Sequence, residues 1–464
     1  MNHIGNGEPQ WLERPEPERL VGDQGCHGDQ QDSQDPENGL HDHQHLGHAG
    51  KRLHARMTHR GHAFHGKMCC RCQFVVRNVR LSHNHAVRLE PDWCPDMKIT
   101  RIEVRTVAPE VQRFTWSFDL PEQFMTNTVV KIETDAGVEG VAGVSNYTSY
   151  DFDRYTAETI RHLAPVLIGR DPRERDQIYY DLRPRVFPLS PGALAVVDVA
   201  LWDLAGRLAE KPVHELLGAT RTSIPAYAST PLMDDVPAYL ELIAQRLEMG
   251  FTAVKFHCWC LPEKDLELCR AAREQFPGTA FMHDVENNYS HEDALRVGKE
   301  LAELNFTWFE APFPDWDLDG YRQLTSQVDV PIIPSGNWLM DLQSFGHAVH
   351  SRTWTRARTD ITCLGGLTPA WEALQLCESA GIGGEVLGWG NTLISAANLH
   401  LMLANDCCSY FEQSVPYEPY EYGMLDVIRT DSDGQVTAPD SPGLGVRIDW
   451  DAMEAATVHR LVFD

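Results

Sequence analysis

Asp284 in AFMHDVENN, Glu310 in WFEAPF and Asn337 in PIIPSGN each end a short apolar run, about one strand-plus-helix unit apart. All three side chains offer oxygen. One unit earlier, VKFHCW carries Lys255 and His257 with a single residue between them. Strand side chains alternate with period two, so Lys255 and His257 face the same way. If these runs are neighbouring strands of a parallel barrel, all five side chains meet at its C-terminal mouth, where such barrels place their chemistry. Oxygen ligands converging beside an amine and an imidazole make a divalent-metal site with a base at its edge.

The elements that would position them recur along the chain. Apolar runs begin near Ser223, Ala253, Ala280, Trp308, Pro331, Arg356, Gly384 and Cys407. That spacing, roughly 23 to 30 residues, is the length of a strand, a helix and two loops. The intervals have helical period: DVPAYLELIAQRLEMG sets Val236, Leu240, Ile243 and Leu247 on one face, with Gly250 as the stop. Eight such units predict an α/β fold with a (β/α)8 barrel over residues 221–415. An open doubly wound sheet would also alternate, but it would want a glycine-rich phosphate turn after its first strand, and the sequence has none.

Ahead of the barrel, residues 97–220 read as an α+β domain. MKITRIEVRTVAPE and NTVVKIETDAGVEGVAGVS predict an antiparallel meander turning at Asp135-Ala136-Gly137, and a helical stretch follows from Asp153 to Gly218. Residues 416–464 are rich in Pro, Gly and Asp and too short to fold alone, so they are expected to return to the first domain. Residues 1–96 differ in kind. They hold twelve of the 21 histidines and no sustained apolar period, which predicts a disordered leader and translation beginning naturally at Met97. HDHQHLGH and CCRC could instead form a metal-binding arm, but no second Cys/His pair at finger spacing supports it.

The net charge of −27, with no compensating basic stripe, disfavours nucleic acid and anionic membranes as partners. No apolar run approaches the ~20 residues of a spanning helix, and no signal-peptide core is present at the N-terminus. Seven cysteines scatter over the part expected to fold. That pattern suits reduced thiols in the cytoplasm better than a disulfide framework.

From Met97 onward the chain resembles the enolase superfamily, in its mandelate racemase/muconate lactonizing branch. The matching pieces are VVKIETDAGVEGVAG, VVDVALWDLAGR, VKFH, HDVENNY, WFEAPF, PIIPSGN, TDITCLGGLTPA and LISAANLHL, in the family's order and spacing. The resemblance implies a modified barrel under a capping α+β domain and a homo-oligomeric enzyme. It also implies one Mg2+ held by Asp284, Glu310 and Asn337, and removal of the proton α to a carboxylate. A Lys or His base working beside Mg2+ is the superfamily's own pairing. It fits the chemistry, because removing that proton puts a second negative charge on the carboxylate oxygens, which a cation offsets.

Several residues depart from the family pattern. The third ligand is usually Glu; Asn337 stands there instead, as in some acid-sugar dehydratases resembling glucarate dehydratase. Glu286 replaces the Asn usual two places after the first ligand. Period two points it the same way as Asp284, so it either restores the lost charge from behind the metal ligands, or merely caps the following helix or faces solvent. His257 stands where most relatives have the second lysine of a Lys-x-Lys pair. An imidazole is a competent base near neutral pH, with Lys255 holding the substrate carboxylate; alternatively His257 only fills the barrel. Asp360 matches the aspartate of an opposite-face His–Asp dyad, but Leu387 or Gly388 falls at the histidine's place, followed by Trp389. That leaves Asp360 as a structural remnant or a ligand for a substrate hydroxyl. Glu412 in YFEQS matches an eighth-strand glutamate that bonds the substrate, or is a buried structural carboxylate.

Three functions follow. The first is a hydro-lyase that dehydrates a hydroxylated acid or sugar acid to a 2-keto-3-deoxy acid, with His257 as base and one face sufficing if the elimination is syn. The second is a racemase, epimerase or cycloisomerase, which needs a second catalytic group that the sequence does not offer. The third is a catalytically silent metal-binding relative. Specificity is expected from the capping domain, around Arg113 to Asn127 and Tyr147 to Tyr150.

Overall fold

A computed structural model of the chain describes residues 97–464, apart from 114, 117–125, 147–149, 187–189, 338 and 340. The histidine-rich leader of residues 1–96 therefore lies outside the described residues, as does much of the expected specificity region.

The meander forms as expected. β1 (Ile99–Val107), β2 (Thr126–Thr134) and β3 (Glu139–Asn146) pair antiparallel in sequence. The chain reverses at Asp135–Gly137, where Gly137 takes φ 75°, the left-handed backbone that glycine adopts without a Cβ penalty. The three-helix layer consists of α1 (Tyr150–Leu167), α2 (Arg175–Val186) and α3 (Pro191–Leu208). α3 is buried along nearly its whole length, and two aspartates within it explain how a buried helix stays anchored. Asp198 accepts from the Thr368 N–H (2.9 Å) and hydroxyl (2.7 Å) on a barrel helix. Asp203 accepts from the N–H groups of Val141 (2.8 Å) and Leu444 (2.7 Å). Each carboxylate thus satisfies backbone donors from another layer, which is what permits its burial.

The eight barrel strands follow in order: β4 (Ser223–Ser229), β5 (Ala253–His257), β6 (Ala280–Asp284), β7 (Trp308–Glu310), β8 (Ile332–Ile333), β9 (Arg356–Thr359), β10 (Gly383–Val386) and β11 (Phe411–Ser414). The last begins four residues later than its apolar run suggests. Parallel ladders join β11, β4, β5, β6, β7 and β8 in one sheet and β9 with β10 in another. The ladder is interrupted at two seams, spanned by Thr355 N–H to Ile332 O (3.2 Å) and Gly384 N–H to Cys407 O (3.1 Å). Tyr227, Ala253, Met282, Trp308 and Ile333 fill the interior below the site as one apolar cluster. The outward alternates, such as Val254, Phe256, Phe281 and Phe309, join the larger core between strands and helices. Helix Val236–Glu248 illustrates the surrounding ring: Asp235 caps it through the Ala238 N–H, and Tyr239, Leu242 and Ile243 are buried. At its end Gly250 has φ 106°, and a Cβ there would meet Asp431 O at 2.6 Å, so only glycine fits.

The C-terminal strand, β12 (Thr457–Phe463), pairs antiparallel with β1 and completes a four-stranded sheet. Among the described residues no helix is long and apolar enough to cross a membrane.

Candidate active site

Lys255 stands at the centre of the barrel mouth. It is 1 % exposed, and its ammonium lies 2.9 Å from Asp284 Oδ2, 2.7 Å from Glu310 Oε1 and 2.9 Å from Glu412 Oε1. Burial alone would lower its pKa, but the three carboxylates outweigh burial and hold it well above the ordinary lysine value. Lys255 is a fixed cation. A second cation completes the layer: Arg358 on β9 lies 2.6 Å from Glu310 Oε1 and also bonds Glu412 Oε2. Trp308, two residues before Glu310 on the same face, donates its indole N–H to Glu310 Oε2 at 2.9 Å.

Glu412 is saturated. Besides Lys255 and Arg358 it accepts from the Ser229 hydroxyl (2.9 Å), the Trp389 indole (3.0 Å) and the Gly388 N–H (2.9 Å). Burial would raise its pKa, but Arg358 and Lys255 bring it down to about 2. Five donors occupy its two oxygens, which leaves no lone pair for a substrate. Of the two readings the sequence allows, this geometry matches the buried structural carboxylate.

His257 sits two residues above Lys255 on the same inward face, 3 % exposed. Its Nδ1 lies 2.5 Å from Thr230 O. A carbonyl can only accept, so Nδ1 carries a hydrogen and Nε2 is the ring nitrogen that faces the mouth. Nε2 lies 3.3 Å from Asp284 Oδ2 and 3.4 Å from Glu286 Oε1. A lone pair does not bond a carboxylate oxygen, so a proton or a cation belongs in that space. Glu286 reaches it by a turn, not by strand alternation. β6 ends at Asp284, and Glu286 and Asn287 have φ of 48° and 66°. The Glu286 N–H bonds Asp284 Oδ1 at 3.1 Å, and 24 % of its side chain meets solvent.

The donor set fits a divalent cation. Asp284, Glu286, Glu310 and Glu412 crowd around two permanent cations, Lys255 and Arg358, which leaves two negative charges uncompensated at full ionisation. Without an added cation two carboxyls are pushed up to about 8. For Glu310, burial outweighs the lowering by Arg358; for Glu286, burial leads and the Asp284 charge adds to it. One ligand atom each from His257, Asp284 and Glu286 lies within 4.8 Å of the others. Carboxylate oxygens are the donors that Mg2+ prefers.

The remaining expected residues lie beside this cluster. The Asn337 Oδ1 is 3.8 Å from the Cys363 thiol. Its turn is fixed by Asp315, which accepts from the N–H groups of Ser335 and Gly336 at 2.9 Å each. Asp360 caps helix Ile361–Leu364 through the Thr362 N–H at 2.8 Å. Among the described residues, no hydrogen bond or ion pair joins Asn337 or Asp360 to Asp284, Glu310, Lys255 or His257. His283 points away as expected, its Nδ1 3.3 Å from Cys258 Sγ, and burial pushes its pKa down to about 4. At Gly388, one of the two positions expected for a second base, a Cβ would lie 2.0 Å from Glu412 O, so no side chain fits there. Trp389 fills the space instead, its ring 5.8 Å from that of His257 and 4.5 Å from that of Trp116 in the first domain. Arg358, Ser229 and Trp308 are the site residues that sequence reasoning missed. Period two counted back from Asp360 would have found Arg358.

The fold and site agree with what the chain resembles. The model for the mandelate racemase/muconate lactonizing enzyme N-terminal domain matches residues 101–218, and that for the enolase C-terminal domain-like family matches 238–452. A Pseudovibrio sp. structure assigned to the mandelate racemase/muconate lactonizing enzymes is 37% identical with a TM-score of 0.77, covering 79% of this chain and 99% of that one. D-glucarate dehydratase from Agrobacterium tumefaciens, solved with magnesium, is 29% identical with a TM-score of 0.70, covering 78% and 100%. D-galactarolactone cycloisomerase from Agrobacterium fabrum is 27% identical over 376 residues, covering 77% and 98%. The last two are named for different reactions, so what the relatives share is the family, and this chain belongs to the mandelate racemase/muconate lactonizing enzymes of the enolase superfamily.

Proposed function

We propose that this chain removes the proton α to the carboxylate of a hydroxylated acid and expels the β-hydroxyl, converting a sugar acid to a 2-keto-3-deoxy acid. The observation that carries this reading is the division of labour between Lys255 and His257. The Lys255 ammonium lies within 2.9 Å of Asp284, Glu310 and Glu412, which favour its charged form and make it a poor base; His257, with Nδ1 bonded to Thr230 O, keeps Nε2 directed into the mouth. His257 Nε2 accepts the α-proton as the Cα–H bond breaks. The β C–O bond then breaks, the departing hydroxide takes the proton back from protonated His257 and leaves as water, and the resulting enol tautomerises to the ketone. Asp284 and Glu310 would hold Mg2+, the ion in the glucarate dehydratase structure. When bound, it supplies positive charge against which the second negative charge on the substrate carboxylate develops. Glu412 positions Lys255 and Arg358. With Leu387, Gly388 and Trp389 where a second base would be expected, elimination is favoured over racemisation or epimerisation, which need a group on each side.

A panel of aldonic and aldaric acids assayed with Mg2+ for 2-keto acid formation tests the reading; epimerised or cyclised products in place of keto acids would replace it with the isomerase alternative. In the same assay His257→Asn should lower turnover by ~10²–10⁴-fold, the usual contribution of a positioned general base, with metal affinity nearly intact. A second reading, His257 as a metal ligand, draws on the proximity of Nε2 to Asp284 and Glu286. It predicts that metal affinity falls in this variant.

A further inference from the structure

We propose that Tyr239 is a positioning residue: its hydroxyl holds the Thr230 carbonyl in place against His257 and so keeps the basic ring nitrogen turned to the mouth. This rests on the reading of His257 as the base and adds what prepares it. An imidazole has two nitrogens, and only a hydrogen held on Nδ1 leaves the lone pair on Nε2 when the ring is neutral. The acceptor that holds it is Thr230 O, at 2.5 Å. That acceptor belongs to a loop, residues 230–235 between β4 and helix Val236–Glu248, so the tautomer is only as fixed as the loop.

The loop is stitched to β5 and its extension at alternate residues. Thr230 donates its N–H (3.2 Å) and its hydroxyl (3.0 Å) to Lys255 O, and Met233 O accepts from the Trp259 indole at 2.8 Å. Between these two ties stands His257, and there the stitch is a side chain from the helix behind. The Tyr239 hydroxyl accepts from the Met233 N–H at 3.1 Å and donates to His257 O. One oxygen thus ties the loop that carries the acceptor to the residue that carries the ring. Its ring is held edge-on against Trp259 (5.2 Å) and Phe256 (6.2 Å), which aims the hydroxyl at that point. Packing alone would be served by Phe. Tyr239 is fully buried, so losing the oxygen strands a buried donor and a buried acceptor.

Tyr239→Phe in the full chain removes that oxygen and keeps the ring, and two readouts apply. The first is NMR of 15N-labelled histidine with Mg2+ present and no substrate, at a pH where the His257 ring is neutral. Its ring signals, assigned by their absence in His257→Asn, should show the Nδ1–H form in the parent and a mixture of both tautomers in Tyr239→Phe. The second is turnover of an acid from the panel above that the parent converts. There kcat should fall roughly 3- to 10-fold, about what one buried hydrogen bond is worth, with KM within about twofold. Ile243→Ala, one turn further along the same helix, loses buried packing but no side-chain hydrogen bond. It should lower the Tm and leave tautomer and kcat as in the parent. An unchanged tautomer in Tyr239→Phe, or an equal change in Ile243→Ala, overturns the proposal. If instead His257→Asn turns over as the parent does, the base reading itself fails, and the ring spectrum still decides the part played by Tyr239.

Discussion

Replacing Lys255 by Met tests the electrostatic frame on which everything at the mouth depends. Met fills most of the lysine stem's volume, so the change reads mainly charge. Contacts at 2.7–2.9 Å to Asp284, Glu310 and Glu412 are lost, and Arg358 remains as the cation beside Glu310 and Glu412. At an effective dielectric of 20, one such contact is worth ~6 kcal/mol of attraction before the desolvation of the ammonium is subtracted. Deleting one partner of a buried pair costs ~3–5 kcal/mol in practice. We expect a loss in that range in EDTA at pH 7, read from urea unfolding by tryptophan fluorescence. The loss should shrink towards pH 5. Asp284 is held well below its ordinary pKa, against burial, by Lys255 first and His257 second; without Lys255 it takes up a proton more readily in the folded state, which relieves the repulsion. Mg2+ at about a hundred times its Kd should return ~2.7 kcal/mol. A loss under ~1 kcal/mol, or one independent of both pH and Mg2+, would refute the reasoning.

Other consequences are open to direct measurement. Because Glu286 and Glu310 are held near 8, metal binding below that pH must displace protons. Calorimetry of Mg2+ binding at pH 7 should therefore depend on the buffer's ionisation heat, and should lose that dependence above pH 9. Gly388→Ala forces a Cβ against the Glu412 carbonyl and should cost ~1–3 kcal/mol or more in unfolding free energy; an unchanged Tm would mean the seam relaxes freely. His400, far from the site, is fully buried with its Nδ1 2.9 Å from that of His214, and burial pushes its pKa down to about 3. The unfolded chain protonates it near its ordinary value, so stability present above ~6.5 is lost as pH falls, by up to ~1.4 kcal/mol per unit. His400→Asn should flatten the acid limb of the stability curve relative to the parent.

The parts of this site that were legible in the sequence are those governed by strand alternation. Lys255, His257, Asp284 and Glu310 follow from period two on β5, β6 and β7, and the same rule sends His283 outward. What stayed hidden depends on contacts between strands. The role of Arg358 requires Glu310 and Glu412 to flank it, and no local pattern in RARTD announces two carboxylates from elsewhere in the barrel. Glu286 shows the opposite limit. Alternation pointed it into the site, but the strand had already ended and a left-handed turn brings it there. Sequence placed Leu387 or Gly388 at the expected histidine without saying what excludes a side chain; the approach of the Glu412 carbonyl to Gly388 is a packing fact that no local pattern announces.

The central claim is that His257 takes an α-proton with metal assistance, and hydrogen–deuterium exchange addresses it without knowledge of the full reaction. Hydroxy acids incubated with the protein and Mg2+ in D2O, followed by proton NMR, should lose the α-proton signal, either by exchange into recovered substrate or on conversion to keto acid. Recovered substrate should keep its configuration, since one base works from one face. The loss should disappear in EDTA and fall by ~10²–10⁴-fold in His257→Asn. Retention of the α-proton across the panel, with Mg2+ shown to be bound, would contradict the account and leave a metal-binding relative without proton-transfer chemistry.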